Sequence, residues 1–389
     1  MLHRRSVLRS FASLAALAPT LASVGCARSS AEPDAPSSES ADKPATKPDG
    51  PLTILVLGGT GFLGPHFVDA AVEHGHVVTL FNRGKTNPHL FPELEKLKGD
   101  RRAGDLKSLE GREFDVIIDT SGYVPDEVTA VAKILATSGH YLFISSVSAY
   151  RDQHKAGLRE GDPVAVHPEP GNHDVMKFYG PLKAECEAAA EAAMPGRATV
   201  IRPGLIVGPG DPTDRFTYWP VRLAKGGEVM APGQPSDPVQ IIDARDLAAF
   251  MLHCCEQRLF NVYNAVGPKD TLSVEGMLQG GIDALKSDAK LTWVPAKFLE
   301  QHAVAPWMEM TVWVPPDSEF GGLGSVSNSA AVADGLKYRS LGETMVDTLA
   351  WWNELPEERR AEPRAGLAPE REVEVLAAWH KDGAAVATG

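Results

Sequence analysis

The feature that most narrows what this chain can become is an apolar run that breaks into spaced glycines and then into a helical stretch. Leu52-Thr53-Ile54-Leu55-Val56-Leu57 is continuous, apolar and of strand length, the pattern of a strand buried on both faces of a parallel sheet. It runs into Gly58-Gly59-Thr60-Gly61-Phe62-Leu63-Gly64, then a helical segment, PHFVDAAVEHG, then a second strand, His76-Val77-Val78-Thr79-Leu80-Phe81. The glycines at 58, 61 and 64 divide the work. The first permits a tight turn, the second lets backbone approach a pyrophosphate, and the third lets the helix pack closely. The free N–H groups at the helix start then face the anion.

Strand before and helix after turn a weak glycine pattern into a dinucleotide site built from Gly58, Thr60, Gly61, Phe62, Leu63 and Gly64. At the end of the second strand such sites commonly place an acid for the adenosine ribose. This chain offers Asn82-Arg83-Gly84-Lys85 instead. Arg83 can accept the 2′-phosphate of NADP, and no carboxylate stands there to repel it. Arg83 and Lys85 can equally open a solvated loop, so NAD and NADP both stay open. Asp100, in GDRR after a third strand, lies where an adenine contact is expected. Ser121, in the TSGY after Asp119, borders the dinucleotide.

The alternation continues. Asp115–Asp119 reads as a strand, DEVTAVAKILAT as an amphipathic helix, and Tyr141–Ile144 and Ala198–Ile201 as further strands. Repeated strand–helix alternation predicts an α/β fold, a doubly wound parallel (Rossmann) sheet with ligands at the carboxyl ends of its strands. The expected organisation is an export signal at 1–26, a disordered linker at 27–51 and the dinucleotide-binding domain at 52–250. A smaller C-terminal substrate lobe at 251–389 interleaves with that domain and adds helices.

Just beyond the fifth strand lies Ser145-Ser146-Val147-Ser148-Ala149-Tyr150. A longer loop leads to Phe178-Tyr179-Gly180-Pro181-Leu182-Lys183 on a helix, where Tyr179 and Lys183 share one face a turn apart. GGTGFLG, Ser146 after strand five and YGPLK together resemble the extended short-chain dehydrogenase/reductase family, which includes the NAD-dependent sugar epimerases and dehydratases. The resemblance runs from about Leu52 to Trp352, through IRPGLIVGPGD, IIDARDLAAF, FNVYNAVG and GLKYRSLGETMVDTLAW. It implies Tyr179 as general acid/base, Lys183 lowering its pKa and holding the nicotinamide ribose, and Ser146 bonding the reacting oxygen. A free tyrosine loses its proton near pH ~10, so a neighbouring positive charge is needed for work at neutrality.

Two departures from that family narrow the reaction. Its dehydratases carry an Asp-Glu pair directly after the catalytic hydroxyl residue, where this chain has Val147 and Ser148. Without an acid to protonate the leaving hydroxyl, dehydration is disfavoured and epimerisation or simple redox remains. Its sugar-nucleotide enzymes tend to carry an arginine for the substrate diphosphate just ahead of the segment matching IIDARDLA, where this chain has Val239, which disfavours a UDP-sugar unless Arg215 or Arg222 substitutes from another direction. The loop from Gly208 to Trp219 is the specificity segment, with Asp214, Arg215 and Tyr218 as candidate substrate contacts. The alternative is that Phe216, Tyr218 and Trp219 pack the core of the small lobe. Trp293, Trp307, Trp313, Trp351 and Trp352 read as packing residues.

Composition bounds the rest. A formal charge of −13 argues against a phosphate-backbone binder and so against RNA-binding on this fold. The four cysteines show no CxxC or Cys/His spacing, so neither a disulfide scaffold nor a metal site is expected, and Cys254 and Cys255 read as buried helix residues. HRRSVLR followed by a short apolar run resembles a twin-arginine export signal, and Ala22–Cys26 a relaxed lipobox with Cys26 lipidated. The expectation is an exported protein that touches membrane only through a lipid anchor at Cys26, with a soluble exported protein cut at a plain cleavage site as the alternative. It is an NAD- or NADP-dependent oxidoreductase or epimerase acting on a small carbohydrate-like molecule. A non-catalytic dinucleotide sensor on the same fold is the alternative.

Overall fold

The structure, a computed structural model, describes residues 50–387, with side chains to Asp382. The export signal, Cys26 and all but the last two residues of the expected linker lie outside the described residues. Strands β1 (Thr53–Leu57), β2 (Val77–Asn82), β3 (Glu95–Lys98), β4 (Val116–Asp119), β5 (His140–Ile144) and β6 (Ala198–Pro203) alternate with helices α1 (Leu63–Glu73), α2 (Pro125–Ile134) and α3 (Val175–Ala193). The chain then leaves through β7 (Leu205–Val207), α4 (Tyr218–Ala224), β8 (Glu228–Pro232), β9 (Pro238–Asp243) and α5 (Ala244–Gln257). It returns as β10 (Val262–Ala265) and leaves again through β11 (Gly267–Ser273), α6 (Val274–Leu285) and β12 (Lys290–Val294).

Seven strands pair in parallel in the order β10-β6-β5-β4-β1-β2-β3, the doubly wound sheet the alternation predicts. Every residue of β4, β5 and β6 is buried, as expected for strands covered on both faces. One covering core carries Phe67, Val68, Leu247 and Met251 from α1 and α5. The other carries Val128, Val131, Cys186 and Ala190 from α2 and α3. Cys254 and Cys255 are buried free thiols of α5.

A second core belongs to the smaller lobe, where Phe216, Trp219, Val229, Val239, Met277 and Trp313 come together. The division expected at 250 falls inside α5: residues of β7 to β9 already build this lobe, and β10 goes back to complete the sheet. The C-terminal helix Pro369–Ala387 contributes Val375 and Leu376 to the same core. Its buried Glu372 accepts from Arg222 Nε at 2.6 Å and from Met230 N–H at 2.9 Å.

Register decides where function can sit. Leu57, the last residue of β1, pairs with Phe81 on β2 and Asp119 on β4, and Asp119 pairs with Phe143 on β5. The segments after β1, β2, β4 and β5 therefore emerge side by side along one edge of the sheet.

Candidate active site

The glycine turn leaves β1 with Gly58 at φ +90°, a conformation side chains rarely adopt. A Cβ at Gly64 would stand 2.5 Å from the Gly58 carbonyl oxygen, so the helix meets its own turn only because residue 64 has no side chain. Gly61 differs. Around it only the Gly58 oxygen, at 3.8 Å, comes within reach of an added Cβ, so its missing side chain leaves a cradle open. Helix α1 starts with no side-chain cap and no acid in its first turn, leaving its amino-terminal N–H groups and dipole to an anion. These residues fit the pyrophosphate of a nicotinamide dinucleotide. Thr60 and Leu63 are buried, and Phe62 packs edge-on to His66 at a centroid distance of 6.1 Å.

Asn82 Oδ1 accepts from Gly84 N–H at 2.7 Å and shapes the turn after β2. Arg83, next to it, is exposed and has no ion-pair partner among the described residues. Asp100 caps the short 3-10 turn that follows β3, its Oδ1 accepting from Arg102 N–H at 3.1 Å. Ser121 Oγ lies 3.2 Å from the Leu57 carbonyl oxygen, to which it donates, and accepts from Arg101 Nη2 at 2.8 Å. Sequence reasoning missed Arg101. It pairs at 2.7 Å with fully buried Asp119, which also accepts from the Tyr141 hydroxyl at 2.8 Å. Arg101 and those bonds hold the Asp119 carboxyl below its usual range against the desolvation that pushes it up. This network fastens the loop after β4 to the one after β3.

The reaction centre forms where α3 meets the loop after β5. Ser146 caps the 3-10 turn Val147–Ala149, its Oγ accepting from Ser148 N–H at 3.1 Å. Phe178 has non-helical backbone angles (φ −123°, ψ 33°), so a fresh helix starts at Tyr179 and Pro181 falls in its first turn, where a missing N–H costs nothing. Tyr179 stands at that start, 37% exposed as a residue, with its ring 6.4 Å, centroid to centroid, from that of Tyr123. The pKa of the phenol is raised, first by desolvation and then by Tyr123, against the lowering influence of the nearby Ser146 hydroxyl and the Arg215 charge, so the lowering by Lys183 that the family resemblance implies is not what this site shows.

Lys183, one turn on, is only 3% exposed and donates to the Gly122 carbonyl at 2.8 Å and the Ile144 carbonyl at 2.6 Å. Its ammonium lies 4.5 Å from the Phe143 ring centroid and 5.0 Å from that of Tyr123. Burial lowers its pKa to about 8. Lys183 thus ties the ends of β4 and β5 beneath the tyrosine. A further turn along the same face, Glu187 clamps Arg202 of β6 through both oxygens, at 2.9 and 2.6 Å, and accepts from Ser145 Oγ. Neither residue was singled out from the sequence, although the four-residue step 179, 183, 187 and a charged residue inside the apolar strand ATVIRP were both visible signals.

The loop after β7 separates the three substrate candidates. Asp214, buried at φ +61°, accepts from Arg359 Nη2 at 2.6 Å and Arg364 N–H at 2.7 Å, which ties the loop to the C-terminal segment. Tyr218 packs against the small-lobe core and Trp219, and a Cβ at Gly366 would strike its ring at 2.1 Å. Phe216 and Trp219 are fully buried in that core. Both oxygens of Asp214 and the Tyr218 ring are thus engaged in holding the lobe together, and only Arg215 of the three bears on Tyr179. Val239 is likewise buried in the lobe core.

On the opposite edge of the sheet, His74 Nδ1 and His76 Nε2 lie 2.9 and 3.2 Å from Glu256 Oε1, a grouping of metal-ligand type. His76 Nδ1, however, accepts from Leu52 N–H at 3.1 Å, so the neutral ring carries its proton on Nε2. A cation would have to displace that proton, and the trio is best described as a hydrogen-bonded tie.

Comparison with known proteins agrees with this geometry. The profile described as the NAD dependent epimerase/dehydratase family matches residues 54–265. Chloroplast stem-loop binding protein of 41 kDa b from Arabidopsis thaliana is 28% identical over 56% of this chain, and the match spans 59% of that protein's length. Epimerase family protein SDR39U1 of Bos taurus is 25% identical over 56% of this chain and 75% of its own. Among solved structures, human SDR39U1 with NADPH superposes with a TM-score of 0.54 at 20% identity, covering 77% of this chain and 99% of that one. UDP-N-acetylglucosamine 4-epimerase from Bacillus cereus gives 0.58 at 15% identity, covering 79% and 98%. With the glycine turn, the parallel sheet and the matched profile in one place, the chain belongs to the NAD dependent epimerase/dehydratase family.

Proposed function

We propose that this protein is an NAD- or NADP-dependent oxidoreductase or epimerase that acts at a hydroxyl-bearing carbon of a carbohydrate-like small molecule. The observation that carries the reading is that Tyr179 and Lys183 both stand beside the Tyr123 ring, with Lys183 bonded to the end of β5 from which Ser146 follows, at the sheet edge where the glycine turn emerges. The bound nicotinamide supplies the hydride acceptor and donor. Tyr179 removes the proton from the substrate hydroxyl as the carbon is oxidised and returns it on reduction. Ser146 holds the reacting oxygen, and Lys183 fixes the ends of β4 and β5 on which that geometry depends. Arg83, exposed and without an ion-pair partner among the described residues, supports a preference for the 2′-phosphate of NADP. Val147, buried beside Ser146, offers no acid for dehydration.

Export belongs to the same proposal. A twin-arginine route carries folded proteins, so the dinucleotide leaves the cytoplasm bound, and turnover restores its redox state within each cycle. The test is to purify the protein from the exported fraction without added nucleotide and assay bound cofactor, then screen sugars by nicotinamide absorbance and product epimer analysis. Stoichiometric cofactor with substrate-dependent hydride transfer supports the reading; an empty, weakly binding site overturns it. The Arabidopsis relative is named a stem-loop binding protein, which raises nucleic-acid binding as a second reading. The charge of −13 opposes it, and salt-titrated RNA binding is the measurement that separates the two.

A further inference from the structure

The loop after β7 holds one cation near the reaction centre that makes no ion-pair contact among the described residues, although Asp211 of the same loop acts on it through space. Arg215 Nε donates to Thr213 Oγ1 at 3.2 Å, and its guanidinium carbon lies 5.0 Å from the centroid of the Trp307 ring. Among the described residues its terminal nitrogens meet no hydrogen-bond or ion-pair partner, whereas Arg101, Arg202 and Arg222 each close on a carboxylate. Asp211, in the same loop, does not fill the gap. Its Oδ1 accepts from Thr213 N–H and Oγ1 at 2.8 and 2.7 Å, and its Oδ2 is buried with no partner.

The position of the loop gives these groups a purpose. His66 Nε2 meets the Pro209 carbonyl at 3.1 Å, and a Cβ at Gly210 would lie 3.5 Å from the Phe62 ring, so the loop is pinned against the glycine turn. The Arg215 charge also bears on the Tyr179 phenol. A guanidinium stacked on an indole and tethered through Nε alone is pre-oriented, with its terminal N–H fork free for a planar anion.

Resting on the function proposed above, we infer that Arg215 anchors a carboxylate of the substrate, so that the molecule turned over is a polyhydroxylated acid and not a neutral sugar. Such a carboxylate can come from a free sugar acid or from the uronic acid of a nucleotide-linked sugar. Val239, buried in the lobe core, contributes no charge for a diphosphate, which favours the free acid.

The experiment is calorimetric titration of the full chain, loaded with its dinucleotide, using galacturonate, glucuronate, gluconate, galactose and UDP-galacturonate. At least one acid should bind, and galactose should bind about 10-fold more weakly or worse, the scale of a charged hydrogen-bonded pair. Arg215→Met should abolish that difference and Arg215→Lys restore part of it, with dinucleotide affinity unchanged and both variants still folded at the titration temperature. Binding of the free acids identifies them as the source; binding of UDP-galacturonate alone, still dependent on Arg215, identifies the linked form. The inference is overturned if galactose binds as tightly as the acids, if no acid binds, or if Arg215→Met keeps the preference. Turnover separates this from the parent reading. Arg215-dependent binding without any hydride transfer refutes the catalytic proposal alone, and turnover of neutral sugars indifferent to Arg215 refutes the carboxylate site alone.

Discussion

Gly180 and Ser148 touch where no side chain could fit: a Cβ on Gly180 would stand 2.2 Å from the Ser148 carbonyl oxygen. That contact is what lets helix α3 carry Tyr179 up to the Ser146 loop. Gly180→Ala must push the two apart. The expected result is a fall in kcat of about 10-fold or more, since sub-ångström misplacement of a catalytic group is costly, with dinucleotide affinity little changed. Steady-state kinetics alongside dinucleotide titration check it.

The glycine turn makes a paired prediction. Gly61→Val adds bulk only to the open cradle, so the melting temperature should hold while dinucleotide affinity falls about 10-fold or more. Gly64→Ala drives a methyl into the Gly58 backbone and should instead destabilise the fold, by about 1–3 kcal/mol as overpacked sites do. Thermal melts and dinucleotide titrations of both variants read the contrast.

Glu187→Ala leaves the Arg202 guanidinium buried beneath the reaction loop without its carboxylate. Breaking one side of a buried pair costs about 3–5 kcal/mol, so denaturant midpoints should fall accordingly. Ser145 loses its acceptor in the same step, so activity should decline under conditions where the variant is still folded.

Lys183 links stability to pH. Its folded pKa, about 8, lies below the 10.5 of a free lysine because burial disfavours the charge. Between those values the unfolded chain binds more protons, so stability rises with pH across that window. Relative to Lys183→Met, which lacks this titration, the wild type should gain on the order of 3 kcal/mol from pH ~8 to ~10.5. Urea unfolding of both proteins across that range gives the difference directly.

The sequence made the sheet and its ligand edge legible because burial on both faces writes itself as continuous apolar runs, and because glycine spacing has few other uses. Leu52–Leu57 and Tyr141–Ile144 were found for the first reason, Gly58, Gly61 and Gly64 for the second. Charge pairing was illegible because its partners come from distant segments: Arg101 with Asp119, Glu187 with Arg202, Asp214 with Arg359. The aromatics after β7 stayed ambiguous because a ring that packs and a ring that binds are written alike. Only the assembled lobe core places Phe216 and Trp219 inside it, while Arg215 stacks on Trp307 with no carboxylate in contact among the described residues.

The most direct measurement is single-turnover hydride transfer in Tyr179→Phe, using whichever substrate the screen identifies, with dinucleotide affinity measured on the same preparation. Removing the hydroxyl should slow transfer by about 10²–10⁴-fold, the span of general acid–base catalysis, and leave dinucleotide binding intact. Transfer at the wild-type rate in that variant would mean the proton moves through some other group, and the account of this site would be wrong.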